Sequence, residues 1–372
     1  MTLKTRAAVL EEGSTTFEIR ELDVPPPGVG EVHVRFVAAG LCHSDLHLID
    51  GDITPRFPIV AGHEGAGIVE EVGVGVTRVK PGDHVVCSFI PACGTCRYCA
   101  TGHSNLCNNG AFLVNGTSFD GSFRYHDSEG REYGSFSMLG TFSERATLSE
   151  LSVVKVDEWL RLDVAVLVGC GVPTGWGTAV TAGGVRAGDT VIIYGIGGVG
   201  INAVQAAAFA GAKFVVVVDP VQFKLDTALR LGATHAFTDA KEAGAKVTEL
   251  TWGEGADQAL VTVGVVDEQV IADAFAAIGK GGTLVVTGQA HPDKLTIQVP
   301  SAQLVRYEKV IRGSQYGSLN PQHDIVKLLR MYDAGHLKLD ELVTKYYALD
   351  EVNDVVQDLR DGKLIRGVIR FP

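Results

Sequence analysis

A chain of 372 residues is long enough for two domains with separate cores, and its 46% hydrophobic content fits a globular protein. Its net charge of −12 argues against a nucleic-acid partner, because phosphate binding needs a basic surface. No apolar run approaches the roughly 18 residues of a membrane span, and the N-terminal sequence lacks a signal-like apolar core, so we expect a cytoplasmic protein without membrane contact.

The first 90 residues predict a compact, mainly antiparallel β domain. Candidate strands are separated by Pro- and Gly-rich turns and lie at 7–10, 31–38, 67–72 and 84–88. Two polar motifs interrupt them, Cys42-His43-Ser44-Asp45-Leu46-His47 and Gly62-His63-Glu64-Gly65. Cysteine and histidine suit zinc, although each alone is more often a buried thiol or a surface histidine.

Four of the seven cysteines follow within fifteen residues, in the pattern C-x2-C-x2-C-x7-C, as Cys93, Cys96, Cys99 and Cys107. In a cytosolic chain such a cluster indicates a metal rather than disulfides. Four thiolates can surround one tetrahedral zinc and leave no open position, which predicts a structural site. A disulfide-linked loop and an iron–sulfur cluster are the alternatives.

The segment 108–150 is rich in Gly, Ser and aromatic residues, has little periodicity, and is expected to form an excursion on the β domain. Cys170 follows in a Gly-rich turn before a helical segment. This turn is a suitable place for a third metal ligand brought in from a distance, and it marks the junction to the next domain.

Residues 190–219 predict strand, tight turn, helix and strand in about thirty residues. The turn is Gly195-Ile196-Gly197-Gly198-Val199-Gly200, and Asp219 closes the second strand nineteen residues after Gly200. A dinucleotide needs this arrangement, because glycines admit the pyrophosphate to a helix N-terminus and the carboxylate accepts from ribose hydroxyls. A purely structural Gly-rich turn is the alternative. Asp219 would repel a 2′-phosphate, and residues 220–223 contain no arginine, so NAD is favoured over NADP.

Six candidate strands separated mostly by helices predict a parallel, doubly wound sheet. They lie at 190–194, 214–218, 235–238, 258–263, 283–287 and 309–313. The sheet's open edge, near 295–299 and 309–313, is a candidate dimer surface. The C-terminal stretch 321–372 begins as a helix and is expected to rejoin the β domain.

Taken together, these motifs resemble the zinc-dependent medium-chain alcohol dehydrogenases over essentially the whole chain. The matching motifs are G-H-E-G-A-G at 62–67, the four-cysteine pattern at 93–107, G-C-G-x-x-T-G at 169–175 and G-I-G-G-V-G at 195–200. The resemblance implies an α/β fold with a GroES-like, mainly-β catalytic domain and a six-stranded Rossmann domain that binds NAD. The implied boundaries are 1–171 with a structural-zinc lobe at about 90–108, 172–314, and a C-terminal return at 315–372.

The same resemblance implies two zinc ions per chain. Cys42, His63 and Cys170 are the implied ligands of a catalytic zinc, with Glu64 close by as an alternative ligand. Asp45 is expected to accept from the second ring nitrogen of His63. Ser44 is expected to bond the substrate oxygen, and His47 to receive the proton that leaves.

The implied cofactor and substrate contacts involve residues from both domains. Thr174 is expected at the nicotinamide, while Phe89, Met138 and Leu139 are expected to line the substrate pocket. The residues implied to bind the cofactor are Gly195, Gly197, Gly198, Val199 and Gly200 in the turn, Asp219 and Lys224 at the adenosine ribose, and His43 and Arg366 at the pyrophosphate. His43 departs from the arginine that many relatives place there.

A finer resemblance is to the nicotinoprotein, or NDMA-dependent, branch, through stretches at 51–54, 120–124, 139–143 and 365–370. That branch implies NAD that stays bound and is reoxidised in place by an external acceptor, thought to be of the mycofactocin type. The expected function is oxidation of primary alcohols to aldehydes, and the reverse, by a homo-oligomer (dimer or tetramer). The alternatives are a thiol-dependent formaldehyde dehydrogenase and, more remotely, a non-enzymatic zinc-stabilised nucleotide-binding protein.

Overall fold

The computed structural model describes residues 2–289 and 296–372, and the chain divides into two compact units. Unit 1 comprises Met1–Cys170, Asn320–Ala334 and Leu339–Pro372, and unit 2 comprises Gly171–Leu319 and Gly335–Lys338. Leu295, at one end of the candidate dimer surface, lies outside the described residues.

The strands are numbered in chain order. They are β1 (Leu3–Leu10), β2 (Glu18–Val24), β3 (Glu31–Gly40), β4 (Ile59–Val60), β5 (Glu64–Val72), β6 (His84–Cys87), β7 (Tyr125–His126), β8 (Glu132–Ser135), β9 (Arg145–Ser149), β10 (Val153–Lys155), β11 (Thr190–Tyr194), β12 (Phe214–Val218), β13 (His235–Phe237), β14 (Ala256–Val261), β15 (Ile278–Val286), β16 (Val310–Gly313), β17 (Val343–Tyr347) and β18 (Arg366–Arg370).

The α-helices, also in chain order, are connected in places by short 3-10 segments. They are α1 (His43–Ile49), α2 (Arg97–Ala100), α3 (Leu162–Ala165), α4 (Gly171–Gly177), α5 (Gly200–Phe209), α6 (Gln222–Arg230), α7 (Ala240–Leu250), α8 (Glu268–Ala277), α9 (Ser301–Arg306), α10 (Pro321–Asp333) and α11 (Val352–Arg360). The π-helical segment Thr178–Ala182 continues α4.

Unit 1 is built from β-strands around one apolar core. Strands β1, β2, β7, β8 and β4 close a barrel, and a second sheet runs in the order β10-β6-β5-β3-β18-β17, with β9 also paired to β3. Strand β18 pairs antiparallel with β3, so the C-terminal segment completes the same sheet as the N-terminal strands. The core includes Phe36, Leu139 and Phe142, all fully buried.

The segment 108–150 differs from the irregular excursion that its sequence predicts. It contributes β7, β8 and β9, of which the first two close the barrel. These strands have only two to five residues, and so short a stretch cannot show an alternating pattern.

Unit 2 is a doubly wound α/β unit. Its six-stranded sheet has the order β13-β12-β11-β14-β15-β16 with every pair parallel, which is the strand order of a Rossmann fold. All five residues of β11 are buried, as expected for a central strand covered by helices on both faces. The sequence-predicted strands all appear, with ends shifted by a few residues.

In the described part of the chain, no single helix is long and apolar enough to cross a membrane. One bent helix pair, Leu162–Gly169 with Gly171–Ala182, meets that criterion by length and composition alone.

Candidate functional site: two thiolate clusters and a dinucleotide turn

The four cysteines of unit 1 that are close in sequence also converge in space. Their sulfur atoms all lie within 4.8 Å of one another. The Cys93–Cys99 and Cys96–Cys107 sulfur pairs are each 3.9 Å apart. A tetrahedral zinc with Zn–S bonds of about 2.3 Å requires sulfur separations of about 3.8 Å, so the cluster fits zinc closely.

Backbone and side-chain donors around this cluster stabilise a thiolate. Burial alone would raise the pKa of Cys93, but the Thr95 hydroxyl and the N–H groups of Cys96 and Thr95 lower it to about 6. Burial raises the pKa of Cys107 to about 12. Because its four ligands all come from the protein, the cluster leaves no position for a substrate, which is typical of a structural zinc site.

A second donor set is assembled from three separate parts of unit 1. Cys42 is the N-cap of α1, His63 immediately precedes β5, and Cys170 ends the 3-10 turn before α4. The donor atoms of these three residues and of Glu64 all lie within 4.8 Å of one another. The structure therefore brings together the three predicted ligands and the predicted neighbour Glu64.

Asp45 links two parts of this second set. Its Oδ2 accepts from the Cys42 N–H at 3.0 Å, which caps α1, and its Oδ1 lies 3.2 Å from His63 Nδ1. A carboxylate only accepts, so His63 Nδ1 carries the proton and Nε2 is left to bind a metal. The predicted role of Asp45 has matching geometry, and Asp45 is fully buried.

Hydrogen bonds concentrate negative charge on one sulfur of the set. The hydrogen bond with Cys170 lowers the pKa of Cys42 well below its usual range, and the same contact raises the pKa of Cys170. Burial opposes protonation of His63, but the Asp45 carboxylate raises its pKa well above the usual range. Zinc binding displaces such protons from its ligands, so this thiolate-rich set suits a divalent cation.

A buried ion pair borders the donor set and was not anticipated from the sequence. Arg366, the first residue of β18, bonds Glu64 and also donates to the Leu41 carbonyl at 3.0 Å. Burial raises the pKa of Glu64, while the positive charge of Arg366 opposes that shift. A Cβ at Gly40 would overlap the Glu64 carboxylate, so glycine is required at this end of β3.

Helix α1 carries the residues expected to move a proton. Ser44 Oγ lies 3.9 Å from the Cys42 sulfur, and His47 is 4% exposed one turn later. The ring of exposed His43 meets the His47 ring edge-on at 5.1 Å. His47 Nδ1 lies 2.6 Å from Asp52 Oδ2, a contact that sequence patterns did not indicate because Asp52 lies in a turn.

Aromatic side chains surround the imidazole of His63. Phe89 meets its ring edge-on at 6.0 Å, and Phe136, which the sequence did not single out, does so at 5.5 Å. Met138 is buried with a positive φ of 61°, and Leu139 is fully buried in the core of unit 1. Of the expected pocket residues, Phe89 thus lies beside the donor set and Leu139 packs in the core.

The Gly-rich turn of unit 2 joins β11 to α5. Gly195 has a φ of +88°, and a Cβ at Gly200 would overlap the Gly195 carbonyl oxygen, so both glycines are required by the protein itself. Gly197 differs, because a Cβ there would meet nothing within 4 Å. Open space above a glycine beside a helix N-terminus is what a bound pyrophosphate requires. Gly198 and Val199 complete the turn ahead of α5.

Asp219 lies where a ribose-binding carboxylate is expected, at the end of β12. Its Oδ2 accepts from the Ile196 N–H at 2.7 Å, and its Oδ1 accepts from the Val221 N–H at 2.9 Å. The carboxylate therefore fixes the Gly-rich turn and keeps lone pairs for ribose hydroxyls. Lys224 is half-buried on α6. Thr262, which no sequence motif indicated, donates to the Gly195 carbonyl at 2.7 Å.

Thr174 lies on α4, which packs closely against neighbouring backbone in unit 2. A Cβ at Gly175 would overlap the Val199 carbonyl oxygen, and one at Gly177 would overlap that of Gly317. The Thr174 carbonyl accepts from the Thr178 hydroxyl at 2.7 Å, and Thr174 is 8% exposed. These close approaches hold Thr174 in a fixed position.

Three features together define the class of zinc-dependent dehydrogenases. They are a Rossmann unit with a dinucleotide turn, a four-cysteine site, and a Cys-His-Cys set with a carboxylate beside it. The chain matches the alcohol dehydrogenase GroES-like domain over residues 28–158 and the zinc-binding dehydrogenase domain over residues 198–334. It is 66% identical over 367 residues to the NDMA-dependent alcohol dehydrogenase of Amycolatopsis methanolica, covering 99% of both chains. It is 45% identical over 371 residues to alcohol dehydrogenase B of Mycobacterium tuberculosis, also covering 99% of both chains.

Solved structures give the same result. An alcohol dehydrogenase zinc-binding domain protein from Burkholderia ambifaria superposes with a TM-score of 0.94 at 34% identity, and benzyl alcohol dehydrogenase from Acinetobacter calcoaceticus with 0.92 at 31%, both over the full length of each chain. The chain belongs to the zinc-dependent medium-chain alcohol dehydrogenase family, as its motifs predicted. It is an oxidoreductase that acts on alcohols and aldehydes and uses NAD and two zinc ions, one structural and one catalytic.

Proposed function

We propose that this protein oxidises primary alcohols to aldehydes with an NAD that stays bound through turnover and is reoxidised in place by an external acceptor. The observation that carries the proposal is the Cys42–His63–Cys170 donor set, in which His63 and Cys170 are buried, in a chain that also has the Gly195–Gly200 turn. The 66% identity to an NDMA-dependent alcohol dehydrogenase supports the part concerning the acceptor.

The catalytic step needs a Lewis acid and a hydride acceptor, which zinc and NAD supply when bound. Cys42, His63 and Cys170 would hold the zinc, and Asp45 fixes the ring of His63. We assign Ser44 to orient the substrate hydroxyl and His47 to accept the released proton. Thr174 is assigned to the nicotinamide. Glu64 places a carboxylate beside the proposed ligands, in addition to that of Asp45. The ion pair with Arg366 balances the buried negative charge of Glu64.

The preference for NAD over NADP is supported by Asp219. Both of its oxygens already accept backbone N–H groups, so the carboxylate cannot turn away from an incoming 2′-phosphate. Lys224 is assigned to the adenosine ribose beside it. Arg366 and His43 belong to unit 1, and their assignment to the pyrophosphate stays a prediction.

Further assignments extend the sequence predictions. We assign residues 1–171 to the catalytic domain, 172–314 to the NAD-binding domain and 315–372 to the return to the catalytic domain; the two compact units divide the chain after Cys170 and after Leu319. Phe89 and Met138 are assigned to the substrate pocket, whereas the role of Leu139 there stays a prediction, because its side chain is fully buried in the core of unit 1. A cytoplasmic location is supported by seven cysteines without a disulfide. A homo-oligomer is supported by β16, a terminal strand of its sheet in which Val310 is 47% exposed.

The alternatives have less support. The relatives are named alcohol dehydrogenases, which does not favour a thiol-dependent formaldehyde dehydrogenase. Membership of the zinc-dependent alcohol dehydrogenase family makes the protein an oxidoreductase, which leaves the non-enzymatic binding protein without support.

Denaturing protein that was purified without added cofactor tests the retention of NAD. We expect about one NAD(H) per chain in the released fraction, and alcohol oxidation with NDMA that needs no added NAD. Protein that releases no NAD(H) and needs added NAD for activity would contradict the proposal. It would indicate an ordinary dehydrogenase, which exchanges NAD with solution in each turnover.

Gly197→Ala tests the nucleotide cradle separately. The new Cβ meets no protein atom, so we expect unchanged thermal stability but strongly reduced bound nucleotide. Gly244→Ala, on α7 with equally open surroundings, is the matched control and should keep its nucleotide. Full nucleotide content in Gly197→Ala would contradict the placement of the pyrophosphate at this turn.

A further inference from the structure

The turn that follows α1 holds an acidic side chain against the helix. The Asp50 N–H donates to the Leu46 carbonyl at 2.8 Å, and the Ile53 N–H donates to the His47 carbonyl at 3.1 Å. Gly51 lies between them with a φ of +80°, a conformation that favours glycine. These constraints fold residues 50–53 back over the last turn of α1. The backbone of this turn therefore fixes the position of Asp52 beside the helix.

Asp52 and His47 form a nearly buried acid–imidazole pair. His47 Nδ1 and Asp52 Oδ2 are 2.6 Å apart, and the two side chains are 5% and 13% exposed. A carboxylate can only accept a hydrogen bond, so the shared proton belongs to Nδ1 and the neutral ring presents Nε2 as an acceptor. The short distance is typical of a charge-assisted hydrogen bond.

We propose that Asp52 is a positioning residue for proton transfer, which sets the tautomer of His47 and stabilises the imidazolium formed during alcohol oxidation. The inference rests on the proposed function. With zinc and NAD bound, alcohol oxidation would transfer a hydride from carbon to the nicotinamide and release the hydroxyl proton, which His47 Nε2 would accept. Nδ1–H remains bonded to Asp52 throughout, and His47 then passes the extra proton to water.

The physical reason is the burial of His47. A positive charge on a side chain that is 5% exposed is costly unless a counter-charge accompanies it. Of the acidic groups near this helix, Asp45 already bonds Cys42 and His63, and Asp50 pairs with Arg360. Asp52 is the carboxylate in direct contact with the ring, and a carboxylate that orients a histidine commonly serves proton transfer.

A purely structural role would make different predictions. If the contact only fastened the turn, its loss would lower the melting temperature and leave both the His47 tautomer and the proton-transfer rate unchanged. The test must therefore separate proton transfer from folding.

The variant is Asp52→Asn, which keeps the side-chain shape and removes the charge, and Asp50→Asn is the matched control two residues away. In steady-state oxidation with NDMA, we expect Asp52→Asn to lower kcat by about 10- to 100-fold, within the range of general acid–base effects, with KM for the alcohol within about twofold. The solvent deuterium isotope effect on kcat should rise, because proton transfer becomes rate-limiting. Asp50→Asn should match the wild type.

A readout independent of turnover is the ¹⁵N spectrum of the histidine-labelled protein, with the His47 signal assigned from His47→Gln. We expect the Nδ1–H tautomer in the wild type and a shift towards Nε2–H in Asp52→Asn. Asp52→Ser serves as a second variant if Asp52→Asn folds poorly. Wild-type kcat in these variants, or an unchanged tautomer, would overturn the proposal. A wild-type protein that oxidises no alcohol would instead overturn the proposed function.

Discussion

The two metal-ligand clusters of unit 1 use the same chemical groups but are built in opposite ways. The four thiolates at 93–107 come from one continuous segment, and three of them are partly exposed. The Cys42–His63–Cys170 set comes from three distant segments, and each ligand depends on a different strand or helix for its position. The first cluster consists of four thiols of one loop, whereas the second consists of two cysteines and a histidine with the Glu64 carboxylate beside them.

Their surroundings differ accordingly. Around Cys93 the hydrogen-bond donors are mainly backbone N–H groups of the same loop. Around the second set, the hydrogen-bond partners come from residues farther away in the sequence. Asp45 orients His63, and Arg366 pairs with Glu64 across 302 positions of sequence. We therefore expect damage to the first cluster to reduce stability, and damage to the second to reduce activity.

The largest effect is expected from Cys42→Ser. Loss of a catalytic ligand should lower alcohol oxidation by at least about 10³-fold, since the metal supplies several kcal/mol of charge stabilisation. Zinc content, measured by mass spectrometry, should fall from two ions to one per chain while the fold persists. Full activity with one zinc per chain would contradict the assignment of the two clusters.

Cys99→Ser should show the opposite pattern. Loss of a structural ligand removes folding free energy of about 3 kcal/mol or more, because zinc binding and local folding are coupled. We expect a lower melting temperature and one zinc per chain, with kcat of the folded fraction within about threefold of the wild type. If this variant lost activity at unchanged stability, the lobe would have a catalytic role.

Asp45→Asn perturbs the orientation of His63 and the N-terminal cap of α1 at Cys42, but removes no metal-ligand candidate. Outer partners of metal-bound histidines commonly contribute 10- to 100-fold to metal affinity, so we expect a weakening of about that size at one of the two sites. Competition with a chelator, followed by zinc content, measures it. Equal weakening of both sites would indicate general destabilisation instead.

The smallest effect concerns Cys87, the cysteine outside both clusters. It is fully buried, and burial raises the pKa of its thiol to about 12, so only about 10⁻⁴ of it is thiolate at pH 8. After chelation, iodoacetamide should label the three partly exposed lobe cysteines, Cys93, Cys96 and Cys99, first and leave Cys87 unmodified, as peptide mass spectrometry can show. Early labelling of Cys87 would contradict its core position.

Much of the fold and of the candidate sites could be predicted from short, continuous stretches of the sequence. The lobe spacing, the strand–turn–helix at 190–219 and the alternation that defines the Rossmann sheet each lie within one short stretch, where residue type and spacing directly set backbone geometry. Only the tertiary structure decided the barrel closure by β7 and β8, the Glu64–Arg366 pair and the contact of Asp52 with His47. Those features depend on contacts between side chains that lie far apart in the sequence or in irregular turns. Such contacts form only when the chain has packed, and neither hydrophobic periodicity nor motif spacing predicts them from a single sequence.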